Sequence, residues 1–219
     1  MRIKILLLLC FLLFSACSTS NQTEPIQPTS SPPPAATPTH RTPPSEPTAT
    51  PRDAEAEVLS RAAQVILLLM NQDMAGLAEV VHRKIGVRFS PYAYVQPDDR
   101  IFLKNQVAAL MSNQTVYHWG MYAGSGAPID LTFADYFADF VYDVDFASAP
   151  QIAVNQRLGM GNSIDNSHEV YPGNMIVEYY IPGFDPQYGG MDWRSLRLVF
   201  KYCQGSYDLV GIIHDEWTP

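Results

Sequence analysis

The chain has 219 residues, with 22 acidic side chains against 14 basic ones and a formal charge of −8. No basic cluster accompanies that acidic balance, which argues against a nucleic-acid partner and against electrostatic adsorption to anionic lipid. The only thiols are Cys10, Cys17 and Cys203.

The first seventeen residues read MRIKILLLLCFLLFSAC. Arg2 and Lys4 form a short positive region, Ile5 to Phe14 an apolar run, and Ser15 and Ala16 supply small residues before Cys17, the layout of an export signal. The run is well short of the ~20 residues a bilayer core needs. The stretch resembles the bacterial lipoprotein signal, with Phe14 where that family usually carries Leu. The resemblance implies removal of residues 1–16 and acylation of Cys17, with diacylglycerol on its sulfur and palmitate among its acyl chains. It also implies an extracytoplasmic domain held to the membrane by lipid. Cys10 lacks the preceding small residues and leaves with the signal, so only Cys203 stays as a free thiol and the domain has no intramolecular disulfide. Loss of Arg2 and Lys4 takes the charge from −8 to −10.

Residues 17–52 form the next unit. From Ser18 to Arg52 the chain holds ten of its eighteen prolines and almost no large apolar side chain. Such a stretch cannot form a core; at ~3.1 Å per residue in extended conformations it can hold a domain up to roughly 100 Å from its lipid. His40 within it reads as a solvated residue.

A single domain is expected over residues 53–219, long enough to rely on its own core. Asp53 is placed to cap a helix with Val58, Ala62, Val65, Ile66 and Leu69 on one face. Asp73 is placed to cap a second, MAGLAEVVH, with His82 at its C-terminus. GVRFSPYAYV reads as a strand or extended arm, IFLKNQVAALM as a helix after Asp98 and Asp99, VYHWGMY as a strand and GSGAP as a turn. Thr132 caps FADYFADFVYD, with Asp135 at the capping-box position. NMIVEYYI, WRSLRLVFKY and YDLVGIIHDEW then alternate as strands and predict an antiparallel meander, with QIAVN as an optional added strand. Helices followed by neighbouring strands predict an α+β fold, with N-terminal helices packed on a curved antiparallel sheet.

QVILLLMNQDMAGLAEVVHRKIGVRF resembles the opening of nuclear-transport-factor-2-like (SnoaL-like) domains, and the domain also resembles uncharacterised bacterial surface lipoproteins. The first resemblance implies a cone-like fold whose mouth holds small ligands. Members are enzymes, binding modules or dimerisation units, so fold alone assigns no activity.

The last hairpin offers a test of the cluster His214, Asp215 and Glu216. Closing it at Gln204 and Gly205 opposes Lys201 to Asp208, Phe200 to Leu209, Val199 to Val210, Leu196 to Ile213, Ser195 to His214 and Arg194 to Asp215. In this register Arg194 and Asp215 form a structural pair and Asp215 lies on the core face with Leu196, Leu198 and Phe200. Ser195, His214 and Glu216 share the other face, the parts of a hydrolase set without a turn to expose the serine. That second face is apolar in its middle, which predicts cover by a helix, a partner or a second copy; a homodimer is one of these.

The remaining candidates are weaker. Asp135, Asp139 and Asp143 recur every fourth residue, as on a solvated acidic face. Asp185 and Asp192 lie in the loop PGFDPQYGGMDW, which suits Ca²⁺ or sugar binding or, more simply, a connection between strands. His82, His118, His168 and Glu169 lack metal-ligand spacing, so neither a metal nor another cofactor is expected. The abundance of aromatic residues suits a ligand pocket, with Trp119, Tyr122, Tyr180, Glu178, Asp185, Asp192 and Trp193 as lining, and equally suits core and interface packing. The sequence thus predicts an envelope module that binds a small ligand or a protein partner. A small hydrolase of cell-wall or glycan material, using His214 with Glu216 or Asp185 with Asp192, is the alternative.

Overall fold

The computed structural model describes residues 50–219; the signal, Cys17 and the tether up to residue 49 lie outside the described residues. Helix α1 spans Pro51–Met70 and buries the stripe Val58, Ala62, Val65, Ile66 and Leu69, the valines, isoleucine and leucine each contributing about 1.5–3 kcal/mol relative to exposure. Its cap is Thr50 rather than Asp53. The Thr50 side chain accepts from the Asp53 amide while the Asp53 carboxylate accepts from the Thr50 amide, so Asp53 closes a capping box from inside the helix. Helix α2, Met74–Val80, starts at Asp73, whose carboxylate accepts from the Gly76 amide.

Strands β1 (Val87–Ser90) and β2 (Ile101–Phe102) pair antiparallel. That pairing takes Ile101 and Phe102 away from the helix expected there, leaving α3 (Lys104–Val107) and a 3₁₀ turn at Leu110–Ser112. Strands β3 (Tyr117–Met121) and β4 (Pro128–Leu131) make a separate two-stranded ribbon. Helix α4 (Phe133–Phe140) is capped by Thr132, which exchanges hydrogen bonds with Asp135. The chain continues through β5 (Gln151–Val154), α5 (Ser167–Val170), β6 (Met175–Ile181), β7 (Arg194–Cys203) and β8 (Ser206–Glu216).

The main sheet has six strands in the order β2-β1-β8-β7-β6-β5. The expected meander occupies β6 to β8, with the optional strand as β5, and the sheet is antiparallel except where β1 lies parallel to β8. One face carries Phe89, Leu196, Leu198, Phe200, Leu209 and Ile212 and packs with α1, α2, α4 and the ribbon in the main core. The other carries Ile176, Val199, Val210 and Ile213, packed with Val95 and Tyr171. Residues from Arg157 to Tyr171 of the same chain lie over this face, through Tyr171 and Val170 in the cluster, the Leu158 and Gly159 amides on Glu178, and Arg157 and Asp165 on Asp215 and Arg197.

The hairpin register is as expected from Cys203↔Ser206 to Phe200↔Leu209, around a turn in which Gln204 and Gly205 both have positive φ. Then it slips. Val199 pairs with Gly211 rather than Val210, Leu196 with His214, Ser195 with Asp215 and Arg194 with Glu216. A β-bulge at Val210 inserts one extra residue into β8 and turns every later side chain to the opposite face. Gly211 is what the bulge needs, because a Cβ there would stand 2.8 Å from the Tyr171 hydroxyl and 3.1 Å from Val199 Cγ2.

The face assignments are therefore corrected. His214 and Glu216 lie on the main-core side, Asp215 on the covered side, and the Arg194–Asp215 pair does not form. Arg194 instead bridges Asp143 at 2.7 Å and Glu216 at 3.2 Å, while Asp215 meets Arg157 at 2.8 Å and Arg197 at 3.3 Å.

Candidate functional site

Three groups of ionisable side chains are assembled by this framework. The first lies beneath the covering segment. Arg197, 2% exposed, reaches Asp165 at 2.7 Å and Asp215 at 3.3 Å, and Arg157 completes the network. Burial pushes the Asp215 carboxyl up against the pull of Arg197 and Arg157. Burial also acts on Asp165, but Arg197 and the Ser167 hydrogen bonds outweigh it and hold that carboxyl low. Glu178, fully buried, accepts from the Leu158 and Gly159 amides and from the Ser195 hydroxyl. Ser195 is thus a donor to Glu178, on the opposite face of the sheet from His214. The hydrolase set of Ser195, His214 and Glu216 is not brought together.

The second group surrounds His214. Its ring is wholly buried; Nδ1 lies 3.3 Å from the Pro91 carbonyl, Nε2 lies 3.3 Å from Asp143 Oδ1, and the Phe140 ring stands edge-on at 5.8 Å. Burial would raise the Asp143 carboxyl, yet His214 and Arg194 together hold it below its ordinary value. Asp143 is accordingly an internal anchor between α4 and the sheet, not part of a solvated acidic face. Glu216 is tied to Arg194 and the imidazole is sealed from solvent.

The third group opens to solvent. A cleft of about 700 Å³ lies between residues 91–99, the ribbon end at 118–123 and residues 162–164 of the covering segment. Pro91 follows the last residue of β1, and the chain then turns at Gln96–Asp99, where the Asp99 carboxylate accepts from the Gln96 amide and the Asp99 amide donates to the Gln96 carbonyl. The same carboxylate oxygen, Oδ2, also takes the Ser90 hydroxyl. Asp99 is 7% exposed and borders the cleft. Burial pushes its carboxyl up to about 6, against the hydrogen bonds from Ser90 and Gln96 and the charge of Arg88. Tyr92, Tyr94 and Tyr122 supply aromatic wall, and the Tyr92 hydroxyl accepts from the Ala123 amide, tying the two walls together. Trp119 borders the cleft from the core, stacked on Tyr136 at 3.8 Å.

Of the residues proposed as pocket lining, only Trp119 and Tyr122 reach this cleft. Tyr180 and Trp193 pack on one another at 6.0 Å on another part of the sheet, and Glu178 is enclosed. Asp192 accepts from the Phe184 and Asp185 amides, and Asp185 accepts from the Gln187 amide, so both carboxylates shape their own loop. Sequence reading missed Tyr92, Tyr94, Asp98 and Asp99. The signal was present in SPYAYVQPDD, a Pro-punctuated stretch with paired tyrosines and paired aspartates, but the aspartates read as a helix entry.

His82, Cys203 and Asp208 form one further cluster, with potential metal-ligand atoms within 4.8 Å of one another. The His82 ring accepts the Lys84 and Ile85 amides on Nδ1, which leaves the proton of a neutral ring on Nε2, the wrong form for binding a metal there. His82 caps the turn after α2 rather than the helix end itself. Among the described residues no helix is long and apolar enough to cross a membrane. The chain matches no known family model, no curated protein and no solved structure.

Proposed function

We propose that this chain is a lipid-anchored extracytoplasmic binding module that takes a small ligand in the cleft between Tyr92, Tyr122 and Asp99. Lipid on Cys17 supplies the anchor, and residues 17–52 supply reach. The observation that carries the binding reading is the cleft itself: it is open, walled by aromatic rings, and holds a carboxylate that burial makes costly to ionise, a combination suited to ligand recognition. The α1–α2 pair, followed by strands that end with β8 beside β1, supports reading the domain as cone-like and nuclear-transport-factor-2-like. A hydrolase is the poorer reading, because Ser195 and His214 occupy opposite faces and Asp185 and Asp192 are committed to amides of their own loop.

Two experiments test this. Palmitate labelling and globomycin-sensitive processing should both be lost in Cys17→Ala; unchanged labelling of that variant removes the anchor. A thermal-shift screen against wall glycans, divalent cations and small apolar ligands should give stabilising compounds whose effect disappears in Tyr122→Ala. If every stabilising compound acts equally on wild type and Tyr122→Ala, the cleft is not the binding site.

A further inference from the structure

We infer that the cleft takes a small organic cation, an amine or quaternary ammonium ion, with Asp99 as counter-charge and the rings of Tyr92, Tyr94 and Tyr122 as walls. This rests on the binding reading above and assigns its ligand class.

The first support is what borders the cleft and what does not. Asp98 and Asp99 both contribute to its lining, and no lysine or arginine does. The nearby basic side chains are engaged elsewhere. Arg88 donates to the Gln96 carbonyl, Arg100 donates to the His118 carbonyl and lies over the Tyr117 ring, and His118 is paired with Asp130 at 2.7 Å. A negative concavity with aromatic walls attracts a cation twice, through the carboxylate and through the ring faces.

The second support is the free valence of Asp99. Both internal donors, Ser90 and Gln96, are spent on Oδ2, and Oδ1 has no protein donor among the described residues and is open to solvent. A carboxylate in a largely buried residue, bordering a cavity with one oxygen unpaired, is completed by a cationic or donor group of a ligand.

The third support concerns neutral polyols. A sugar needs donors as well as acceptors, but the Asn162 amide and the Ser163 hydroxyl on the far wall are both engaged by Thr218. What the cleft keeps free is aromatic surface and negative charge, with the Gln96 side-chain amide and the Tyr94 and Tyr122 hydroxyls as its neutral donors. Burial raises the Asp99 carboxyl, and a bound cation would hold it ionised.

The test is isothermal titration calorimetry on the full chain at pH 7.5 with choline and with 3,3-dimethyl-1-butanol, which has the same shape with carbon in place of the charged nitrogen. Choline should bind at least tenfold more tightly than the alcohol. Asp99→Asn should weaken choline at least tenfold without lowering the melting temperature, so loss of binding is not loss of fold. The inference is overturned if the alcohol binds as well as choline, if Asp99→Asn retains choline, or if choline does not bind. Chitotriose serves as the neutral saccharide probe. If chitotriose or the alcohol binds wild type and not Tyr122→Ala, the cleft remains a binding site and only the cation assignment falls. If none of the three probes binds, the cleft reading falls with it.

Discussion

Two acidic regions of this domain differ in how their charge is answered. Beneath the covering segment, Asp215 and Asp165 share Arg197, Asp215 also takes Arg157, and Glu178 accepts from two amides and a hydroxyl. At the cleft, Asp99 is nearly as buried but has only a hydroxyl and an amide, both on one oxygen, and no lysine or arginine bordering the cavity. The difference separates structural charge from charge held for use. A buried ion with partners fixes the packing of the segment above it, whereas one left unmatched beside an opening costs stability that a ligand can return.

The comparison breaks first at Arg197. Replacing it with alanine leaves Asp215 and Asp165 without their shared cation and should destabilise the domain by about 3–5 kcal/mol, read as a fall in the urea midpoint. A loss under 1 kcal/mol would mean the network is not structural. Next comes the bulge that puts Asp215 there. Gly211→Ala sets a methyl against the Tyr171 hydroxyl and Val199 and should cost about 1–3 kcal/mol, whereas Gly211→Ala with Tyr171→Phe should recover part of that loss in the same denaturation assay.

At the cleft the sign reverses. Burial lifts the Asp99 pKa from 3.8 to about 6, so stability falls as pH rises from about 4 to 6 and the penalty, at most about 3 kcal/mol, persists above. Asp99→Asn removes that penalty and weakens two hydrogen bonds, for a net gain of about 1–2 kcal/mol at pH 7.5 and none at pH 4. Equal or lower stability of the variant at pH 7.5 would place Asp99 with the structural charges. Asp143 and Asp165 carry the opposite dependence: their carboxyls are held low, so their stabilisation is present above the ordinary value of 3.8 and is lost as pH falls through the lowered one. Smallest of all is Tyr94, 44% exposed. Tyr94→Ala should change stability by under about 0.5 kcal/mol while weakening any ligand of the cleft, measured by calorimetry.

Much of the framework was legible in the sequence because it is local. The α1 stripe, the Asp73 cap, the Thr132–Asp135 exchange and the three-strand meander of β6 to β8 follow from spacing and turn chemistry over a few residues. The register of the last hairpin was legible as far as Phe200↔Leu209 for the same reason. Beyond that point it depends on Gly211 accommodating Tyr171 from a segment forty residues away, and one inserted residue reversed the faces of His214 and Asp215. The site was less legible still. Tyr92 and Asp99 face Tyr122 and Asn162 only because β1 docks parallel to the last strand, a long-range pairing without a local signature, and the paired aspartates were read as a helix start.

The central claim is that the open, unmatched acidic region binds ligand while the closed, matched one holds structure. Amide chemical-shift mapping of the ¹⁵N-labelled chain during a choline titration tests it most directly. Perturbations should be confined to residues 92–99, 119–123 and 162–164. Shifts centred instead on Leu158, Gly159 and Asp215, or no saturable shifts at any residue, would contradict it.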